Sequence, residues 1–282
     1  MSDAFFTAAE CARLGKRGET PPWGPAVKGW FYPLRDKVRG LGEECLVAEY
    51  SGPVDISLHV SQPNQASRRG AIASWQSFCD IYPSRSPLNA SIKMNNSYCM
   101  QIYFRLTRFG GELGLCWGAW QSQVTSRELT SHYEQAKDWM RGRLSSLPDD
   151  IRDQLAIDVS SAGYRYVNKW ASGGKERTYP GLQEWLDVAC SDKGKSHAII
   201  RSFQPWELDD LGTGVGDVVK EAVEIFSPVF NHVQHDPDAP LVKVVQGAPP
   251  PTRTGRPGKR YKKAKEDGKS TYNSPFERDP DA

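Results

Sequence analysis

The stretch from Tyr98 to Gln121 constrains the fold most, because it predicts two neighbouring strands. Its two apolar and aromatic runs flank Phe109-Gly110-Gly111, and a Gly-Gly pair between such runs is typical of a β-hairpin. Side chains alternate along a strand, so Ile102 and Tyr103 point to opposite faces of the predicted sheet. Large apolar groups occur on both faces. The hairpin therefore indicates the centre of a sheet that is covered on much of both sides.

The rest of the chain supplies helices and further strands. Apolar residues at helical spacing predict helices over 3–15, 27–39, 126–144, 149–155, 182–190 and 208–233. Apolar or alternating runs predict strands at 45–50, 54–60, 71–82, 164–170 and 197–203. We therefore predict an α+β fold, in which a central mixed or antiparallel sheet is built on the 98–121 hairpin and flanked by helices.

Composition divides the chain into three parts. Residues 1–24 form a helical lead that ends in a Pro/Gly break, and residues 25–235 form the α+β domain. Residues 236–282 are predicted to be a disordered basic linker, because a segment rich in Pro, Gly and charge buries too little apolar surface to fold alone. Asp279-Pro280 has the pattern of a helix start, so we expect a further domain to follow in a longer protein.

Several features of the chain bear on its compartment. No run of eighteen apolar residues occurs, and the N-terminus lacks the order of a secretory signal, so we predict a cytoplasmic protein without a membrane partner. The six cysteines are far apart in sequence and show no C-x-x-C pair. This spacing predicts reduced, mostly buried thiols and no zinc site.

The tail concentrates positive charge. Residues 252–269 contain eight Lys or Arg and two acids, a net charge of +6, although the whole chain carries only +2. A mildly acidic body with a basic tail indicates a polyanionic partner, with a solvated linker as the alternative.

Residues 251–260 of this tail resemble the AT-hook, whose Gly-Arg-Pro core lies in the narrow A·T minor groove. Gly255 permits close approach, Pro257 favours an extended backbone, and Arg256 would enter the groove. The alternative is an interdomain linker that is merely basic. The tail residues predicted to contact DNA are Arg253, Arg256, Lys259, Arg260, Lys262 and Lys263.

Two further motifs point to ordinary structure. The glycine cluster at 212–216 follows the helical pattern WELDD and not a strand, and no P-loop pattern occurs, so we interpret it as a helix entry. His232 and His235 have a spacing that could bind a metal ion at a helix end. The alternative is that they are surface residues, since histidine is favourable near the negative C-terminal end of a helix dipole. We predict no metal site and no cofactor.

The strand-borne acids Asp55, Asp80 and Glu112 are the candidates for catalysis. A nuclease of the common carboxylate-lysine type needs a Glu-x-Lys on the strand that follows the first acid, whereas Glu112 is followed by Leu113-Gly114. We therefore predict no catalytic residue. An enzyme acting through these carboxylates remains an alternative function.

The order of elements resembles the MrcB-like N-terminal domain, the DNA-reading module of McrB-type modified-cytosine restriction systems and related antiphage proteins. The resemblance covers about residues 25–235. The stretches that carry it are VDISLHV-SQPNQASRRG, AIASWQSF, SYCMQIYFRL, TRFGGE, LGLCWGAWQ and HAIIRSFQPWELDDLGTGVGDVVKEAVEIFSPVF. The chain departs from the family pattern in having Ser74 before the Trp of the second stretch, no aromatic residue in the loop before it, and no GTP-hydrolysing motor.

The resemblance implies a domain that flips 5-methylcytosine or 5-hydroxymethylcytosine out of duplex DNA. Trp75 would stack on the extruded base, and Tyr98 and Ile102 would line its pocket. The loop before Trp75 would contact the backbone or wedge into the stack through Gln65, Arg68 and Arg69. The implied partners are modified double-stranded DNA and an effector nuclease or NTPase that this chain does not contain. The alternative for Trp75 and Tyr98 is that both rings pack in the core. The alternative for the whole protein is a protein-interaction scaffold of a defence complex.

Overall fold

The computed structural model describes residues 5–14, 25–60, 73–79, 81–90, 100–117, 127–168, 176–191 and 197–243, which form an α+β fold. The helices are α1 (Ala8–Arg13), α2 (Pro25–Gly42), α3 (Pro87–Ala90), α4 (Arg127–Ser145), α5 (Asp149–Ser161), α6 (Leu182–Ser191), α7 (Pro205–Leu211) and α8 (Val215–Gln234). The strands are β1 (Ile56–Val60), β2 (Ala73–Cys79), β3 (Ile81–Pro83), β4 (Gln101–Thr107), β5 (Gly110–Trp117), β6 (Arg165–Asn168), β7 (Arg177–Tyr179), β8 (His197–Phe203) and β9 (Leu241–Lys243).

The predicted hairpin lies at the centre of a seven-stranded sheet. The strand order is β1-β2-β4-β5-β8-β6-β7, and each strand is antiparallel to its neighbours. The turn of the hairpin needs glycine, because Gly110 has φ +109° and a Cβ there would collide with the carbonyl oxygen of Phe203. The prediction of an α+β fold around an antiparallel hairpin is confirmed.

Helices cover the face of the sheet that carries Ile102 and Phe104. The ring of Phe6, just before α1, stacks on Phe104 with 5.5 Å between the ring centroids. Gly42, at the end of α2, lies so close to the sheet that a Cβ would sit 2.8 Å from Leu58 Cδ1. The apolar side of α8 packs over β4 and β5, and α4 and α5 pack against α8. In the described ranges, no helix has both the length and the apolar character that a membrane crossing needs.

The predicted strand at 45–50 is wrong. Residues Glu43–Val47 continue α2 as a π-helical turn, with Cys45 and Leu46 buried side by side. A short apolar run fits a strand and a buried helical turn equally well, since its period is undetermined over so few residues. The predicted helix at 208–233 is two helices, which are separated at Gly212, a residue with φ +54°.

The folded unit is larger than the predicted middle domain. Phe6 and Leu14, which flank α1, are fully buried in the main core, so α1 belongs to that core and not to a separate lead. Beyond residue 235, β9 pairs with β3, and Arg85 forms a 2.7 Å ion pair with Asp236. The linker predicted to begin at residue 236 is thus folded as far as Lys243. Residues 244–282 lie outside the described residues.

Candidate nucleic-acid interface

Trp75 and Ile102, predicted to line a base pocket, are core side chains in this structure. Both are 0% exposed, and the Trp75 ring lies 6.3 Å from that of Phe104. The Trp75 indole N–H makes no hydrogen bond to any described residue. Within the described residues, no open pocket adjoins Trp75, because α2 covers its ring closely at Gly42.

The remaining predicted contact residues lie outside the described residues. They are Tyr98, the loop residues Gln65, Arg68 and Arg69, and the tail residues Arg253, Arg256, Lys259, Arg260, Lys262 and Lys263. Their assigned roles stay predictions.

The ends of β1 and β2 define one end of the sheet. Strand β1 ends at Val60 and β2 begins at Ala73, and their antiparallel pairing places both residues at the same end. Ala73 pairs with Leu106, close to the turn that joins β4 to β5. Since the strands are antiparallel, the C-terminus of β8 at Phe203 reaches the same end, opposite Gly111. We call this end, defined by Val60, Ala73, the Arg108–Phe109 turn and Phe203, the turn end of the sheet.

Two large aromatic side chains are exposed at the turn end. Phe109, in the turn itself, is 69% exposed, and Trp206, in the first turn of α7, is 61% exposed. Their segments are in contact, because Gly110 abuts the carbonyl of Phe203 and the backbone of Gln204. Large exposed aromatic side chains on two adjoining segments make this end of the sheet the candidate interaction surface.

A guanidinium group accompanies one of the exposed rings. The guanidinium carbon of Arg108 lies 4.8 Å from the centroid of the Phe109 ring. Aromatic faces stack on nucleobases, and arginine pairs with phosphate. The turn end can therefore contact both parts of a nucleic acid.

A buried polar cluster lies on the other face of the sheet. The Tyr103 hydroxyl donates to Glu112 Oε1, and Arg105 Nη2 donates to Glu112 Oε2 at 2.9 Å. Burial, with the Glu112 carboxylate adding to it, raises the pKa of Tyr103 well above its usual value, so the phenol stays protonated and donates. Burial opposes the charge of Arg105, but Glu112 outweighs it and the pKa of the guanidinium is raised. Glu112 thus serves as a structural acceptor.

The candidate catalytic acids are not brought together. Asp55 lies just before β1, and Glu112 lies on β5. Two strands separate β1 from β5, so β1 and β5 are about 14 Å apart across the sheet. Asp80 lies outside the described residues. Among the described residues, no three His, Cys, Asp or Glu side chains are grouped so that they could bind a metal ion.

The histidines near the end of α8 are part of a helix cap. Arg143 Nε donates to the carbonyl of His232 at 2.9 Å, and its Nη2 donates to the carbonyl of His235 at 2.8 Å. The His232 ring in turn lies 2.9 Å from the carbonyl oxygen of Arg143. The glycine cluster at 212–216 joins α7 to α8 and follows a helix, as its sequence context predicts.

Sequence reasoning missed Phe109 and Trp206, although each leaves a local signal. Turns between strands favour small or polar residues, so a phenylalanine beside Gly110 is unusual. In α7 the buried residue is Leu208, and Trp206 lies two positions earlier, toward the opposite side of the helix. Comparison with known families and with curated proteins finds no match for this chain.

Proposed function

We propose that this protein is a DNA-recognition module that reads a modified cytosine, 5-methylcytosine or 5-hydroxymethylcytosine, extruded from the duplex. The observation that carries the proposal is the turn end, where exposed Phe109 and Trp206 lie at the same end of the sheet as Val60 and Ala73, the described residues that precede and follow Arg68 and Arg69 in sequence. The resemblance to the MrcB-like domain supplies the choice of modified cytosine. The effector would be a nuclease or NTPase in another domain or subunit, and the module would act in the cytoplasm.

The energetics of extrusion fit a pair of exposed rings. Taking a base out of the stack costs a few kcal/mol, and each base that stacks on an aromatic side chain returns about 1–3 kcal/mol. Phe109 and Trp206 together could offset the cost. Arg108 beside Phe109 would pair with a phosphate, and that contact makes the affinity dependent on salt. Trp75 takes a different role from that predicted, since it anchors the strand that follows the DNA-contacting loop.

Replacing either exposed ring should weaken DNA binding. Phe109→Ala and Trp206→Ala are each expected to raise the Kd for a 5-methylcytosine duplex about 5- to 150-fold, equivalent to about 1–3 kcal/mol of lost stacking. Fluorescence anisotropy at one fixed salt concentration would measure this with duplexes that contain cytosine, 5-methylcytosine or 5-hydroxymethylcytosine.

Ile157→Ala is the matched control. Ile157 is 61% exposed, as Trp206 is, but it lies on α5, which packs against α8. Its affinity should equal that of the wild type. Equal affinity of the wild type for all three duplexes would rule out reading of the modification. Unchanged affinity in both aromatic variants would rule out the turn end as the DNA contact.

A further inference from the structure

A second cationic site lies along the edge of the sheet. An open cleft of about 440 Å³ separates α2 and its π-helical turn from β1, and we call it the α2–β1 cleft. Strand β1 is at the edge of the sheet, so one side of its backbone is unpaired within the sheet. The residues that line the cleft are Arg35, Arg39, Glu43, Val47, Ile56, Ser57, Leu58, His59 and Val60.

Two arginines line one side of this cleft, and neither forms an ion pair with a described residue. Arg35 and Arg39 are one helical turn apart, so their side chains project in the same direction. The guanidinium carbon of Arg35 lies 5.9 Å from the Tyr32 ring centroid, and its buried Nε makes no hydrogen bond to a described residue. Arg39 forms no ion pair within the described part of the chain, although Glu43 lies one turn further along the same side. The cleft thus holds two guanidinium groups and the single carboxylate of Glu43, and its net charge is positive.

The opposite wall is formed by the edge strand. Ile56 and Leu58 offer an apolar surface, and burial lowers the pKa of His59, so its imidazole is largely neutral near pH 7. A site with two cations on one side and apolar groups on the other suits a ligand that carries both a phosphate group and an apolar or aromatic ring.

We propose that the α2–β1 cleft binds the phosphate of a nucleotide. Arg35 and Arg39 hold the phosphate oxygens through charge-assisted hydrogen bonds, and the sugar or base lies against β1. Val60 belongs both to the cleft and to the turn end, so a strand of DNA bound at the turn end can continue into the cleft. The phosphate therefore comes either from such a DNA strand or from a free mononucleotide. If the phosphate belongs to DNA, the inference rests on the proposed function. If it belongs to a free mononucleotide, the inference is independent of the proposed function.

The test compares two double variants of equal charge. Arg35→Gln/Arg39→Gln removes the cleft cations. Arg13→Gln/Arg177→Gln removes two arginines from α1 and from β7, the strand at the other edge of the sheet. Titration with deoxycytidine 5′-monophosphate is one arm, and the salt dependence of 5-methylcytosine duplex binding is the other. Thermal unfolding would establish that each variant is folded, and the single variant Arg39→Gln replaces the cleft double variant if that one unfolds.

The two arms separate the two sources of phosphate. If the source is a free nucleotide, the cleft variant should bind deoxycytidine monophosphate at least about tenfold more weakly than the control variant. If the source is DNA, the slope of log K against log salt should become shallower by about 2 in the cleft variant, or about 1 in Arg39→Gln, relative to the control. Cleft and control variants that behave alike in both arms would overturn the inference.

The failure of this inference differs from the failure of the proposed function. If Phe109→Ala weakens duplex binding while the cleft variant matches its control, the cleft inference is wrong and the DNA-binding proposal stands. If the wild type binds no duplex but binds the mononucleotide through the cleft arginines, the inference stands and the DNA-binding proposal is wrong.

Discussion

Trp75→Ala is expected to lower the free energy of unfolding by about 3–5 kcal/mol. The indole is 0% exposed and packs between Phe104 and the end of α2 at Gly42. Removing it leaves a cavity that neighbours held by backbone hydrogen bonds can fill only in part. Urea denaturation followed by circular dichroism would measure the loss.

Two further variants serve as controls for Trp75→Ala. Trp75→Phe keeps an aromatic ring in the core and should lose clearly less stability than Trp75→Ala. Ile157→Ala, on the exposed side of α5, should change stability by less than about 0.5 kcal/mol. A base-stacking Trp75 would behave differently, because its removal would weaken DNA binding and leave stability almost unchanged. A loss below about 1 kcal/mol in Trp75→Ala would therefore contradict the core assignment.

Glu112→Ala should be about as destabilising, by about 3–5 kcal/mol. The substitution removes the acceptor of both Tyr103 and Arg105, and it leaves the buried Tyr103 hydroxyl without its acceptor and the half-buried Arg105 guanidinium without its counter-charge. Glu112→Gln retains an acceptor for the Tyr103 hydroxyl and should lose less. The exposed Glu224 of α8 provides the control, since Glu224→Ala should stay within about 0.5 kcal/mol of the wild type. The same urea titration applies.

The Glu112 variants also address the alternative of an enzyme. If Glu112 were catalytic, Glu112→Gln would abolish magnesium-dependent DNA cleavage with little change in stability. If it is structural, the stability loss follows the number of hydrogen bonds removed, and no cleavage activity depends on it.

The centre of the fold was predictable because local and long-range signals agree there. The Gly110-Gly111 pair marks the turn, and the alternation around Ile102 marks the strand, so the hairpin and its antiparallel pairing follow from a short stretch of sequence. The segment at 45–50 was wrongly predicted because a brief apolar run has no readable period. Its helical state depends on continuity with α2.

The candidate site depends on contacts that are distant in sequence. Whether Trp75 faces a ligand or the core is decided by which face of the sheet α2 covers, and no local pattern encodes that choice. Phe109 and Trp206 are almost one hundred residues apart, and only the pairing of β5 with β8 brings their segments into contact. Their exposure, rather than their identity, marks them as candidates.

A duplex with 2-aminopurine next to 5-methylcytosine tests the central claim most directly, because its fluorescence rises when the neighbouring base leaves the stack. Wild-type protein should raise the emission of this duplex more than that of the same duplex with unmodified cytosine. At saturating protein, Phe109→Ala and Trp206→Ala should reduce the rise, and Ile157→Ala should not. Tight binding with no rise in emission, or an equal rise in the two aromatic variants, would contradict extrusion of a base at the turn end.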